Sequence, residues 1–361
     1  MVFLERKDIV IVGGYGHVGR LICSKLGEIY PGYVYAAGRS MEKAETFSAS
    51  TNGKVLPLLL DINKAVPASL LASVKLVIVC LEQENALFAT TCLQAGIDYI
   101  DISASYRFLA EVEQLHDLAV NSNAAAMLSV GLNPGITNLL ASWMAEKVDH
   151  TDAVDIFLML GLGDTHGHAA IDWTIRQAKK DYYKWIKGKQ VKLKSFGGMK
   201  SAYFGEQLGW RNAYHFDFAD QHVLHHTIAV DDVTTYICFD SRFATGALAF
   251  LKAIGLIRFL PIRLSTKLLT RISIGKPMFC VKITVTGRKS GKPIVLETEL
   301  YGKEEAKITA LVTVWAACYM CENNSRTGVF HMEEVLDWTA LQDELKNYIF
   351  WEGPQLLQKE Q

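Results

Sequence analysis

The sequence predicts an α/β chain: a doubly wound parallel domain at the N-terminus followed by a second, mixed α+β domain. Three observations predict it. Apolar, β-branched runs alternate with helical stretches through the first third of the chain. A glycine-rich turn closes the first of those runs. From about residue 153 the pattern changes to in-and-out alternation.

The apolar runs are Ile9–Val12, Tyr33–Ala37, Val55–Leu60, Leu76–Leu81, Tyr99–Ile102 and Met127–Val130. Strands this continuously apolar are buried on both faces, as in a parallel sheet covered by helices. Between them His17–Ile29, Met41–Ser50, Glu84–Gln94 and Leu109–Asn121 have helical character, and the alternation defines a doubly wound unit. After Asn133-Pro-Gly135 a helix is expected, with Ile136, Leu139, Leu140, Trp143 and Met144 on one face. Phe279–Gly287 and Ile294–Tyr301 then alternate around Arg288-Lys-Ser-Gly-Lys-Pro293, as an antiparallel hairpin with one solvated face does. The expected domains are residues 1–132, a second domain over 133–330, and a C-terminal helix in 331–361 returning to the first.

Composition narrows the function. Among 361 residues, 37 Lys and Arg oppose 38 Asp and Glu, so the net charge of -1 gives no electrostatic case for nucleic acid or an anionic membrane as main partner. The first apolar run is too short and too soon followed by glycines for a signal peptide. Seven scattered cysteines suit a reducing cytoplasm better than a disulfide scaffold. Neither a Gly-x-Ser-x-Gly elbow nor a P-loop lysine motif occurs, which argues against hydrolase and triphosphatase readings.

Ile9-Val-Ile-Val-Gly-Gly-Tyr-Gly-His-Val-Gly-Arg20 contains Gly14-x-Gly16-x-x-Gly19, directly after a strand and opening a helix. Alone the motif is weak; in this context it marks a Rossmann dinucleotide-binding domain. Gly14 allows the tight turn, Gly16 the close approach of a pyrophosphate, and Gly19 the close fit of helix on strand. Tyr15, His17 and Val18 complete the loop. An NAD site usually carries an acid at the end of the second strand. Here the run is Ala36-Ala37-Gly38-Arg39-Ser40, so a phosphate on Arg39 and Ser40, and hence NADP, is expected. The bland alternative makes Arg39 a solvated side chain and Ser40 a helix cap. Asp61, at the end of the third strand, is placed at the adenine edge. Cys80 and Leu81, at the end of the fourth, are placed at the nicotinamide ribose, although Cys80 equally suits a core position.

With these features on view, the sequence resembles the saccharopine dehydrogenase-like oxidoreductases. The resemblance is carried by Val12–Gly19, Ala37-Gly-Arg39, Gly96-Ile-Asp-Tyr-Ile-Asp-Ile-Ser103, Gly131-Leu-Asn-Pro-Gly-Ile-Thr-Asn138 and Thr327-Gly-Val-Phe…Glu333-Glu-Val-Leu336. It implies a Rossmann domain, a substrate and dimerisation domain inserted before a C-terminal helix, a nicotinamide cofactor and often a homodimer. Members commonly reduce an imine or oxidise the matching secondary amine, and some relatives act on lipid enoyl groups.

Three catalytic candidates follow. Tyr99 and Asp101 close the fifth strand and, by alternation, share a face. Tyr99 is read as orienting a small-molecule substrate and Asp101 as moving a proton or holding an amine; equally, Asp101 caps the next turn with Ser103 and Ser105. His166, in Gly161-Leu-Gly-Asp164-Thr-His166-Gly-His168, suits general acid work on an imine or carbonyl, against a purely backbone-bonded role. His222, His225 and His226 read as structural, Cys318 and Cys321 as core cysteines, and no metal is expected. Phe243–Leu260 is nearly span-length, but Lys252 and Arg258 interrupt it at ~2.5 kcal/mol or more each on insertion scales. It is expected as a helix buried in a domain or subunit interface, with peripheral membrane contact as the alternative.

The expected activity is NADP(H)-dependent reduction of a C=N bond in an amino-acid- or amine-derived substrate. A C=C or C=O reductase on a more apolar substrate is the enzymatic alternative, and a non-catalytic NADP-binding sensor or scaffold the other.

Overall fold

The computed structural model describes residues 6–164, 168–186, 188–259, 261, 275–322 and 326–357. The chain divides into two compact units, Met1–Gly135 with Thr309–Val335, and Ile136–Ile308 with Leu336–Gln361.

The first unit holds strands β1 (Asp8–Val12), β2 (Val34–Gly38), β3 (Val55–Leu59), β4 (Val74–Val79), β5 (Asp98–Asp101), β6 (Ala125–Leu128) and the returning β15 (Gly328–His331). Their order is β15-β6-β5-β4-β1-β2-β3, and every pairing is parallel. The order reverses between β1 and β4, so their carboxyl ends frame the crevice where such sheets take ligands. The central strands are apolar on both faces because helices cover both: Ile9, Ile11, Leu76 and Ile78 on one face and Val10, Val12, Val77 and Val79 on the other are all buried. Helix His17–Ile29 seats Ile22, Cys23 and Leu26 in that core. Pro57 lies in β3, the edge strand, where a missing N–H is tolerated.

The second unit holds β7 (His150–Leu160), β8 (Asp181–Ile186), β9 (Lys189–Lys194), β10 (Met199–Tyr203), β11 (Trp210–His215), β12 (Val233–Phe239), β13 (Phe279–Lys289), β14 (Lys292–Gly302) and β16 (Ile349–Leu356). Seven form a mixed sheet, β10-β11-β12-β7-β13-β14-β16, and β8 pairs with β9. The expected hairpin is β13–β14. Its two-residue turn, Ser290-Gly291, has φ +51° and +74°, as a primed turn requires. The helix Thr137–Ala145 buries Leu139, Leu140 and Met144 as expected, and Trp143 packs edge-on against Trp351.

One expectation needs correction. The segment that returns to the first unit is 309–335, not a helix in 331–361. The apolar helix Glu305–Glu322 buries Val312, Ala316 and Ala317 there, and β15 extends the parallel sheet at β6. The tail instead completes the second unit with helix Trp338–Leu345, seated by Trp338, Leu341 and Leu345, and with β16 on β14. The described part of the apolar segment, residues 243–259, is not enclosed by its own unit. It forms helix Arg242–Ala253 and a 3-10 turn, Leu256–Phe259, with Phe243 85%, Phe250 63% and Phe259 67% exposed. Among the described residues no helix is long and apolar enough to cross a membrane.

Candidate active site

The glycine loop follows β1 at the sheet's carboxyl edge. Gly13 has φ +80°. A Cβ on Gly14 would meet Ala36 Cα at 2.7 Å, and one on Gly19 would lie 2.2 Å from the Gly13 carbonyl oxygen. The backbone therefore admits only glycine at these turns. The helix that opens at His17 has Gly16 as its N-cap, with no side-chain cap and no acid in its first turn. Its leading N–H groups and positive dipole end are thus left for an anion. These residues fit a dinucleotide pyrophosphate.

Tyr15 ties this loop to the end of β2. Its hydroxyl accepts from Ser40 N at 3.0 Å, and its ring occupies the space a Cβ on Gly38 would need. Arg39 leaves this corner exposed, with no protein partner among the described residues. Ser40 Oγ accepts from Lys43 N at 3.3 Å, so the hydroxyl caps helix Met41–Ala49. Asp61 lies two residues past β3 and accepts from Asn63 N at 3.2 Å, closing an Asx turn. Cys80 follows β4, is half-buried and donates its backbone N–H to Val12 O; burial pushes its thiol well up. Leu81 is exposed beside Gly13.

Tyr99 and Asp101 do share a face, but that face is the interior of the unit. Tyr99 Oη donates to Asp101 Oδ2 at 2.8 Å, and Gln83 Nε2 donates to both Tyr99 Oη (2.7 Å) and Asp101 Oδ2 (2.8 Å). Ser103 N donates to Asp101 Oδ1 at 2.7 Å, the turn cap foreseen as the alternative. Ser105 N donates in turn to Ser103 Oγ at 3.3 Å. Burial pushes the Asp101 carboxyl up to about 7, against the pull of Tyr99 and Ser103. Both side chains are fully enclosed, so the described geometry presents neither to solvent. Gln83 Oε1 is buried with no hydrogen-bond partner.

Sequence reading missed a second buried chain at this edge. Ser129 Oγ lies 2.8 Å from His331 Nδ1, and His331 Nε2 2.9 Å from Glu113 Oε1. Burial works against a charged His331, but Glu113 and Glu333 outweigh it and hold the imidazole above its ordinary value. The signal available was His331 inside the Thr327–Leu336 motif.

In the second unit, His166 lies outside the described residues. Asp164 Oδ2 accepts from Glu305 N at 2.9 Å, capping the helix Glu305–Glu322. His222 Nε2 pairs with Asp217 at 2.7 Å, His225 Nδ1 bonds Val230 O, and His226 Nδ1 bonds His222 O. Trp173, Phe216 and Phe218 pack on one another as core aromatics do. Cys318 and Cys321 are half-buried rather than core.

No family model and no curated protein sequence matches the chain. Solved structures do. Saccharopine dehydrogenase (L-Glu forming) from Saccharomyces cerevisiae aligns over 98% of this chain and 100% of its own, at 13% identity and TM-score 0.72. DAP dehydrogenase from C. glutamicum aligns over 96% and 99% at 14% identity, TM-score 0.46. An engineered D-amino acid dehydrogenase bound to NADP+ aligns over 95% and 99% at 14% identity, TM-score 0.45. The first of these carries the fold assignment, because it spans 98% of this chain, and so both units, at a TM-score of 0.72. The chain has the saccharopine dehydrogenase-like fold.

Proposed function

We propose that this protein is an NADP(H)-dependent oxidoreductase that reduces the C=N bond of an amino-acid- or amine-derived substrate, or oxidises the matching secondary amine. The observation that carries the cofactor reading is the glycine cradle at the end of β1 with an exposed, unpartnered Arg39 at the end of β2. The substrate reading is supported by the fold shared with yeast saccharopine dehydrogenase.

When bound, the nicotinamide supplies or accepts the hydride. The chain's own work is binding, orientation and the handling of one proton. The backbone around Gly14, Gly16 and Gly19, with the uncapped helix start, holds pyrophosphate. Arg39 offers a permanently charged fork to a ribose phosphate, while Ser40 and Tyr15 fix the corner from which it leaves. Asp61 and the Cys80–Leu81 segment border the adenosine and nicotinamide ends. Tyr99, Asp101 and Gln83 are positioning residues that fix the carboxyl end of β5, one strand beyond the switch point. His166 is assigned proton transfer to the substrate nitrogen. The homodimer implied by the resemblance and the cytoplasmic setting read from the cysteines belong to the same proposal; light scattering in solution checks the first.

Fluorescence titration with NADPH and NADH, on the wild type and on Arg39→Ala, tests the cofactor. The expected result is preference for NADPH, weakened by about one to two orders of magnitude in the variant. Equal NADH binding with an indifferent variant overturns the NADP assignment. Binding of neither overturns the oxidoreductase reading. A screen of amines with keto acids then tests the C=N half, with turnover expected to fall in His166→Gln while NADPH affinity holds.

A further inference from the structure

Helix Arg242–Ala253 packs inward through Thr245 and Ala249, and Ser241 Oγ caps its start by accepting from Ala244 N. Its outward stripe is Phe243, Gly246, Phe250 and Ile254, at helical spacing of three and four. Leu256 and Phe259 continue that apolar surface beyond the helix. Exposed aromatic side chains grouped in this way mark an interaction surface.

The charges are arranged to suit. Lys252, the cation that interrupts the segment in sequence, is turned back into the protein. It donates to Ala178 O at 3.0 Å and Lys180 O at 3.2 Å and faces Asp181 at 3.6 Å. The remaining cations, Arg242 and Arg258, stand exposed at the two ends of the stripe, Arg258 with its guanidinium 4.7 Å from the Phe259 ring centre. From Ser241 to Pro261 the chain carries Arg242, Lys252 and Arg258 and no Asp or Glu, so the most exposed aromatic stripe lies in an acid-free stretch of the sequence. Apolar side chains flanked by cations are what an interfacial helix needs to lie on a lipid surface of negative charge.

We propose that the surface formed by Phe243, Phe250, Ile254, Leu256 and Phe259, framed by Arg242 and Arg258, docks the protein on an anionic lipid surface. The helix lies in the plane of the interface, at the depth where aromatic rings meet headgroups. Docking is peripheral and reversible, and it falls with ionic strength because part of the attraction is electrostatic.

The test is flotation of the full-length protein with vesicles of phosphatidylcholine alone and of phosphatidylcholine mixed equally with phosphatidylglycerol. The expected result is capture by the mixed vesicles, reduced by salt, with little capture by the neutral ones. The double variant Phe243→Glu/Phe250→Glu should reduce capture by on the order of tenfold or more. Arg242→Gln/Arg258→Gln should remove much of the preference for the anionic vesicles. All these side chains are exposed, and a thermal melt matching the wild type shows that each variant folds. Absence of capture by either vesicle overturns the proposal, as does capture that the double phenylalanine variant retains. If light scattering finds a wild-type dimer that this variant dissociates, with no vesicle capture, the surface joins two copies of the chain and the lipid reading fails.

Discussion

Tyr99 Oη donates to Asp101 Oδ2 at 2.8 Å between residues two apart on one strand, and both side chains are completely enclosed. Strand geometry puts residues i and i+2 on the same face. Gln83, in the loop after β4, meets that face and donates to both side chains, making an enclosed polar pocket around them.

Replacing Tyr99 by Phe removes one donor from a buried carboxyl without adding volume. Leaving a buried acceptor short of a partner costs about 1–3 kcal/mol. Urea unfolding of Tyr99→Phe should show a loss of that size. Because the lost bond is one that holds the acid down, the Asp101 pKa should climb further in the variant. A variant as stable as the wild type would show that the pocket relaxes or admits water.

The same carboxyl makes stability depend on pH. In the unfolded chain an aspartate titrates near ~3.9; in the fold Asp101 is pushed up to about 7 by burial. Between those values the native state holds more protons than the unfolded one. Its contribution to stability is therefore greatest at the acid end, declines as pH rises towards about 7, and levels off above. Melts of wild type and Asp101→Asn at about pH 5 and about pH 8 should show the gap shifting in favour of the Asn variant at the higher pH. A gap that does not move with pH contradicts the assignment.

In the second unit, Lys282 is buried with its Nζ 2.6 Å from Glu297 and 2.9 Å from Glu299, and it donates to Tyr203 O. Lys282→Met strands two largely enclosed carboxylates. Breaking such a group by removing one partner costs about 3–5 kcal/mol. Adding Glu297→Gln and Glu299→Gln to the Met variant should recover much of the loss, and denaturant unfolding of both variants measures it.

Two glycine substitutions should act in opposite directions. Gly19→Ala forces a methyl group against the Gly13 carbonyl, so stability falls by about 1–3 kcal/mol and the glycine loop deforms. Gly246 lies inside a helix with nothing within 4 Å of a built Cβ. Gly246→Ala should therefore raise stability by about 0.5–1 kcal/mol. Thermal melts distinguish the two signs.

The parallel sheet was legible because buried strands read as unbroken apolar runs, and the β13–β14 hairpin because alternation flanked a Ser-Gly turn. Other elements left weaker traces. Ile349–Leu356 contains Gly353-Pro354 and shows no alternation, yet it forms the edge strand on β14. The helix around Val312 is apolar all round, so no polar face says which unit claims it. At the site, the glycine loop, Arg39, and the shared face of Tyr99 and Asp101 were visible in sequence. Gln83 and the contact of Tyr15 with Gly38 were not, because hydrogen bonds and close approaches between distant residues leave no periodic mark.

The first unit is written in two pieces, and its parallel sheet lacks an edge until Gly328–His331 has been made. During synthesis, β6 waits with unpaired backbone groups through some two hundred residues of intervening chain. A polypeptide cut after Gly135 would keep its glycine loop intact yet display a bare strand edge, inviting self-association. The gene therefore cannot be trimmed to a freestanding Rossmann module without supplying residues 309–335 by another route, such as a circular permutation that joins the two pieces.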